Sequence, residues 1–200
     1  TGNNQGILTT TGLTQTITGN IGSSISLDLN ILNIGSDTDA TNYSTTIING
    51  NVFANSTVLN NNGTTNSSEL IMGSGKNITS TITTADANMG ILTLAGGTQI
   101  VTGQVGTNGN KLAEVNAGVA GSSTTFVNDV YATNLDVEGT GTVNLDGNFT
   151  GTAVRYNADG TVILADTKNI DSSVTTATNN TGTLSLEGSS TVIGQVGASG

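Results

Sequence analysis

Valine, isoleucine and leucine alternate with threonine, serine and asparagine along most of the 200 residues. The alternating runs are short, and Gly, Asn, Asp or Ser closes each of them. A period of two places the apolar side chains on one face of an extended strand. Residues 78–82, 142–145 and 161–164 show the pattern most plainly. It predicts strands over 6–11, 15–17, 25–34, 44–48, 51–54, 69–72, 77–83 and 91–95. Further strands are expected over 99–102, 112–115, 124–127, 130–132, 134–137, 141–145, 153–156, 161–165, 170–175, 183–186 and 191–193. Residues 111–117 have a composition that a helix can use. Their counterpart near Leu29 is rich in Ile, Leu and Asn, so 111–117 is assigned to strand as well.

A longer period overlies the short one. The phrase Gly90-Ile-Leu-Thr-Leu-Ala-Gly-Gly-Thr-Gln-Ile-Val-Thr-Gly-Gln-Val-Gly106 recurs in variant form over 6–22 and 182–197. The copies begin at 6, 90 and 182, offsets of 84 and 92 residues. The match extends outward: 76–90 aligns with 168–182, with Ile78 opposite Ile170 and Ile82 opposite Val174. Leu29, Leu32, Asn33 and Gly35 align with Leu112, Val115, Asn116 and Gly118, and 51–55 aligns with 129–133. Two large units therefore cover nearly the whole chain. Each cassette is an extended segment, a bend and a second extended segment. A unit this thin cannot bury its own apolar side, so copies must stack.

Stacking makes the expected fold an all-β solenoid, a parallel β-helix, rather than a sandwich or barrel. Aromatic residues are only 3% of the chain, too few for the rings that usually centre a sandwich. Asn and Thr at the turns are expected to form ladders, each side chain bonding its equivalent in the next coil. Residues 1–200 form a single β-solenoid segment, a rod of roughly 40–50 Å if each coil takes about 20 residues. Both ends cut into repeat material, so the chain reads as a piece of a longer polypeptide.

Charge and composition narrow the chemistry. Charged residues are 9% of the chain and the net charge is −10. The cations are Lys76, Lys111, Arg155 and Lys168, too scattered for the basic stripe that nucleic acid requires. Binding to an anionic membrane by charge is excluded on the same ground. No apolar run approaches the roughly 18–20 residues that span a bilayer, so no direct membrane insertion by this segment is expected. His and Cys are absent, which removes Ser-His-Asp, Cys-His and His- or thiolate-based zinc sites.

Several local motifs have a chemical and a plain reading. Gly73-Ser-Gly-Lys-Asn77 resembles the end of a phosphate loop, but Leu70 stands where the pattern wants Gly and Asn77 where it wants Ser or Thr. A solenoid turn is expected there. Asp37 and Asp39 begin like a calcium loop without the spaced acids that should follow, so a solvated loop is expected. The pairs Asp136/Glu138 and Asp159/Asp166 are the candidates for glycan-cleaving carboxylates, against the plainer reading of solubilising acids. Asn-x-Ser/Thr triplets at Asn55, Asn62, Asn66, Asn77 and Asn148 are read as surface turns. Thr-x-Thr triplets such as Thr81-Ile-Thr83 resemble those of ice-binding solenoids, but their irregular spacing argues against a flat threonine array.

Taken together, the phrase at 90–106, then Asn-Lys-Leu-Ala-Glu-Val-Asn-Ala-Gly at 110–118 and Asp-Val-Tyr-Ala-Thr at 129–133, resembles the passengers of rickettsial surface autotransporters of the surface cell antigen family. The likeness spans most of 90–200, with a more diverged copy before it. That first copy departs at Thr10 and Thr11, where the second has Leu94 and Ala95. The resemblance implies a right-handed parallel β-helix at the bacterial cell surface, exported through a C-terminal barrel that lies outside these residues. It implies a surface-layer antigen and adhesin that promotes attachment to and invasion of host cells. The implied partners are a host cell-surface protein and the remainder of the passenger with its translocator barrel. No short binding motif of the family maps onto this chain, so no catalytic, cofactor-binding or metal residue is assigned. The competing expectations are a passive spacer or protective coat and, behind both, a polysaccharide-cleaving β-helix enzyme.

Overall fold

The computed structural model describes residues 4–23, 28–36, 43–61 and 66–197. Within them the chain is all β, with no helix. The strands are β1 (Gln5–Thr10), β2 (Thr14–Ile17), β3 (Leu29–Ile34), β4 (Thr45–Ile48), β5 (Val52–Leu59), β6 (Glu69–Met72), β7 (Ile78–Thr84), β8 (Met89–Leu94) and β9 (Thr98–Val101). They continue as β10 (Leu112–Ala117), β11 (Ser123–Phe126), β12 (Val130–Val137), β13 (Thr142–Leu145), β14 (Phe149–Tyr156), β15 (Thr161–Leu164), β16 (Asn169–Thr176), β17 (Thr183–Leu186) and β18 (Thr191–Val192). Odd-numbered strands form one nine-stranded parallel sheet and even-numbered strands another, each in chain order. The result is a β-solenoid of about 8 turns. At about 4.8 Å per coil the stack is roughly 40 Å long.

Following one inward residue from coil to coil traces three columns. The first runs Gln15, Thr46, Leu70, Leu92, Val115, Leu135, Val154, Val174 and Val196. The second runs Ile21, Val52, Ile78, Val101, Phe126, Leu145, Leu164 and Leu186. The third runs Leu8, Leu32, Thr57, Ile82, Val105, Val130, Phe149, Ile170 and Val192. The chain visits third, first and second column in turn, and the apolar members merge into one continuous core. Each residue therefore packs above and below a similar one, and coil after coil is removed from water.

The repeat and the coil are out of phase. The cassette at 6–22 places β1 in the third column and β2 in the first. The cassette at 90–106 places β8 in the first and β9 in the second. The cassette at 182–197 places β17 in the second and β18 in the third. Each copy is thus rotated by one face from the last. The aligned residues obey the same rule: Ile78 lies in the second column and its counterpart Ile170 in the third. Every face asks for the same thing, two inward apolar residues and a tight corner, so one phrase serves all three.

Side-chain ladders at the corners rotate with it. Asn20 Oδ1 accepts the Asn51 N–H at 2.8 Å, Asn51 Oδ1 accepts that of Asn77 at 2.9 Å, and Asn77 Oδ1 accepts that of Ile100 at 2.9 Å. Later, Asp129 Oδ1 accepts the Asn148 N–H at 2.8 Å and Asn148 Oδ1 that of Asn169 at 3.0 Å. The ladder expected between side chains is therefore made mainly from side chain to the next backbone amide. It supplies acceptors where the strand ladder breaks at a bend.

Of the strand expected over 25–34, residues 25–27 lie outside the described residues and β3 covers 29–34; elsewhere the strand pattern matches expectation with three differences. β5 runs on to Leu59, because Thr57 turns inward and bonds Ser80 at 2.9 Å. The strands expected at 130–132 and 134–137 are one, β12. β14 begins at Phe149 rather than 153; Gly151 sits at a register shift, where a Cβ would lie 2.2 Å from the Ala132 carbonyl oxygen. Residues 112–117 are strand β10.

The core also differs along the rod. Its early coils carry buried hydroxyls and amides: Thr10 bonds Thr46 at 2.8 Å, and Asn61 Nδ2 donates to Thr84 at 3.2 Å. Its later coils hold Val143, Leu145, Val162 and Leu164, together with fully buried Phe126 and Phe149. Few as the aromatics are, these two rings are buried at adjacent coils.

Candidate functional site

The turn at 73–77 joins β6 to β7. The Gly75 N–H donates to the Gly96 carbonyl at 2.8 Å and the Lys76 N–H to that of Gly73 at 3.1 Å. Gln99, fully buried, closes the turn from the next coil. Its Nε2 donates to the Gly73 and Lys76 carbonyls at 3.1 Å each, and its Oε1 accepts the Gly96 N–H at 2.9 Å. The amides of Gly73, Gly75, Lys76 and Asn77 are thus all committed within the coil stack. The turn is built to join coils and lacks a free phosphate cradle.

Each candidate carboxylate has a structural partner. Asp136 is 1% exposed and is held by both Nε and Nη2 of Arg155, its register neighbour on the next coil. Glu114 approaches the same guanidinium at 3.5 Å. Hydrogen bonding to Asp136 raises the pKa of Arg155 above its ordinary value, so the guanidinium stays charged. Glu138 accepts from Asn157 Nδ2 at 2.9 Å. We expect Arg155→Ala to destabilise the fold by about 2–3 kcal/mol, because it strands a buried charge. Adding Asp136→Asn should recover most of that loss; urea unfolding of both variants at neutral pH measures it.

Asp159 and Asp166 are not brought together. They flank β15, and four residues of strand already span about 13 Å. Paired glycosidase carboxylates stand roughly 5–9.5 Å apart. Asp159 Oδ1 accepts the Gly182 N–H at 2.9 Å and Asp166 Oδ1 that of Ser189 at 2.7 Å, so both fasten the last coil to the one before. Asp37, Asp39 and Asn62 lie outside the described residues. Asn55 is exposed within β5, not in a turn, and the side chains of Asn77 and Asn148 belong to the corner ladder. Among the described residues, no group of three or more acidic side chains could hold a metal ion.

The outer side of the second column is the most regular surface. Thr98, Ser123, Thr142, Thr161 and Thr183 are register partners over five successive coils. Two positions along, Ile100, Thr125, Asn144, Ile163 and Ser185 form a mixed row. No coil places Thr at both positions, so the two rows do not form a Thr-x-Thr array. Neither row contains a charge, although the chain carries −10 overall. Asn144 Nδ2 donates to Ser123, Thr124 and Thr125 at 3.3 Å each, which stiffens the middle of this face.

The last coil leaves a recess of about 310 Å³, lined by Tyr156, Val174, Thr176, Leu184 and Val196 among others. The Tyr156 hydroxyl donates to the Thr183 carbonyl at 2.8 Å, and burial raises its pKa above the ordinary phenol value. The unfolded chain ionises this phenol near pH 10 while the folded chain keeps it neutral. Its contribution is complete below pH 10 and declines as pH rises further. Tyr156→Phe should flatten the alkaline fall in urea midpoint relative to wild type.

The fold defines the class, a parallel β-solenoid. No family model, curated protein or solved structure matches the chain.

Proposed function

We propose that the chain is a structural and adhesive rod at a bacterial surface, a passenger segment of an autotransporter. The sequence phrases that resemble the surface cell antigen family, and within it outer membrane protein B, support this reading, as does the solenoid fold. The observation that carries it is the uncharged five-coil face of the second column on an otherwise acidic rod. Such a face meets a host cell-surface protein without desolvating a charge, and its hydroxyls and amide offer hydrogen bonds to any polar partner. Affinity arises from many weak contacts, multiplied when copies are displayed together.

Beads coated with the purified chain test the reading. They should bind host cells above an albumin control, and Thr125→Glu with Thr161→Glu should abolish the excess. Binding equal to the control would leave a passive spacer or coat. Turnover of a glycan that is lost in Asp159→Asn or Asp166→Asn would point instead to an enzyme.

A further inference from the structure

One tripeptide occurs twice in the stack, in different surroundings. Asn49-Gly50-Asn51 and Asn108-Gly109-Asn110 are identical in sequence. A third Asn-Gly pair, Asn62-Gly63, lies outside the described residues. The tripeptide at 49–51 is a coil corner. The Asn49 N–H donates to the Ile17 carbonyl at 2.8 Å and the Asn51 N–H to Asn20 Oδ1 at 2.8 Å. A Cβ on Gly50 would stand 2.2 Å from the Gly19 carbonyl oxygen. The Asn49 side chain lies over the next coil, its Oδ1 2.6 Å from where a Gly73 Cβ would be. The tripeptide at 108–110 lies instead in a loop between Val105 of the third column and Val115 of the first. All three of its residues are exposed, and nothing stands within 4 Å of a Gly109 Cβ. The Thr107 N–H donates to the Asn110 carbonyl and the Asn110 N–H to Thr107 Oγ1, at 3.0 Å each, so the loop closes on itself. Among the described residues, neither the Asn108 side-chain amide nor the Gly109 N–H makes a hydrogen bond. One coil on, β12 crosses the same corner from Val130 to Leu135 without a loop, so the coil geometry does not require this excursion.

We propose that Asn108-Gly109 is a self-modification site, where the chain converts its own asparagine to aspartate and isoaspartate, taking up water and releasing ammonia. The Gly109 nitrogen loses its proton to solvent base and attacks Asn108 Cγ. The new C–N bond closes a five-membered succinimide, and Nδ2 leaves with a proton as ammonia. Water then opens the ring at either carbonyl. One opening gives aspartate in the ordinary chain; the other gives isoaspartate, whose backbone runs through the former side chain. No oxidation or reduction is involved. Glycine offers no Cβ to obstruct the attack, but the Asn108–Gly109 peptide must rotate to bring nitrogen and Cγ together. The free loop permits that rotation. At Asn49 the same rotation would break the bonds to Ile17 and Asn20 and press Gly50 into the Gly19 backbone. Asp-Gly pairs can close the same ring with loss of water, but Gly147 and Gly160 are packed as Gly50 is. Their Cβ positions lie 2.3 Å from the Asn128 carbonyl carbon and 2.5 Å from the Gly139 carbonyl oxygen. Each conversion at Asn108 adds one negative charge at the corner between the third and first columns. The uncharged face of the second column lies across the coil and keeps its composition.

Incubation of the folded chain at mildly alkaline pH, followed by peptide mapping with fragment mass spectrometry, tests this. Asn108 should convert at least about tenfold faster than Asn49, a modest difference in activation free energy. It should yield separable aspartate and isoaspartate forms while circular dichroism stays that of the starting rod. In unfolding urea the two identical tripeptides should convert at similar rates. Gly109→Ala adds a methyl that meets no neighbour in the fold but shields the attacking nitrogen, so it should slow conversion at Asn108 in both states. Equal conversion of Asn49 and Asn108 in the folded chain overturns the proposal. So does an Asn108 that survives in the folded chain while it converts in urea. Asn49 remaining the slower site in urea would place the difference outside the fold and overturn it equally. Undiminished conversion in Gly109→Ala would show direct hydrolysis of the side chain and overturn the ring-closing chemistry.

Discussion

Gly103→Ala is expected to cost about 4 kcal/mol or more, since a Cβ there would make the closest contact of any described glycine. Gly103 turns the corner between β9 and the next column, and its backbone lies directly over that of the coil below. A Cβ there would stand 1.9 Å from the Ser80 carbonyl oxygen and 2.6 Å from the Thr81 nitrogen. Both obstacles are backbone, and moving them would break the ladder of two coils. Lifting one corner also opens the columns on either side, because each coil packs only on its neighbours. Gly109→Ala is the matched control. Nothing lies within 4 Å of its Cβ position, so the change should stay within about 1 kcal/mol of wild type. Urea unfolding followed by circular dichroism separates the two. A Gly103→Ala midpoint equal to that of Gly109→Ala would contradict close backbone stacking at this corner.

The second large loss is expected at Phe149. Its ring is fully buried in the third column, between Val130 below and Ile170 above. Phe149→Ala removes the ring and leaves a void that two rigid strand ladders cannot close, at about 3–5 kcal/mol. Phe149→Leu, which keeps most of the volume, should lose less than half of that. Because coupling runs only between adjacent coils, the void should also reduce cooperativity, and the unfolding curve of Phe149→Ala should broaden. A narrow transition with an unchanged midpoint would mean that the ring is not part of the packed stack.

The two sites were not equally visible in the sequence. Gly103 belongs to the repeated phrase, and a glycine closing an alternating run reads directly as a corner. Phe149 does not: Phe-Thr-Gly-Thr breaks the alternation at Gly151, which looks like a turn residue. Its strand exists because the backbone of Ala132 approaches so closely that only glycine fits, a fact of the neighbouring coil. Thr57 was obscured in the same way. A threonine inside a core reads as a surface residue until its hydrogen-bond partner, Ser80, is brought beside it from the next coil, 23 residues later. The candidate acids show the limit most clearly. Nothing local to Asp136 reveals that Arg155, 19 residues on, covers it. The separation of Asp159 from Asp166, by contrast, was already implicit in the strand expected over 161–165.

By itself, the order of residues determined the strands, the corners, the parallel stack and the shortage of reactive groups. These follow from period-two alternation and from the preferences of Gly and Asn at bends, which act over a few residues. Tertiary structure alone decided which residues share a column. Coil length varies with each corner, and small differences accumulate along the chain until a repeated phrase arrives one face further round. That rotation distributes the copies over all three sides, while a separate match of register gathers five hydroxyls on one uncharged face.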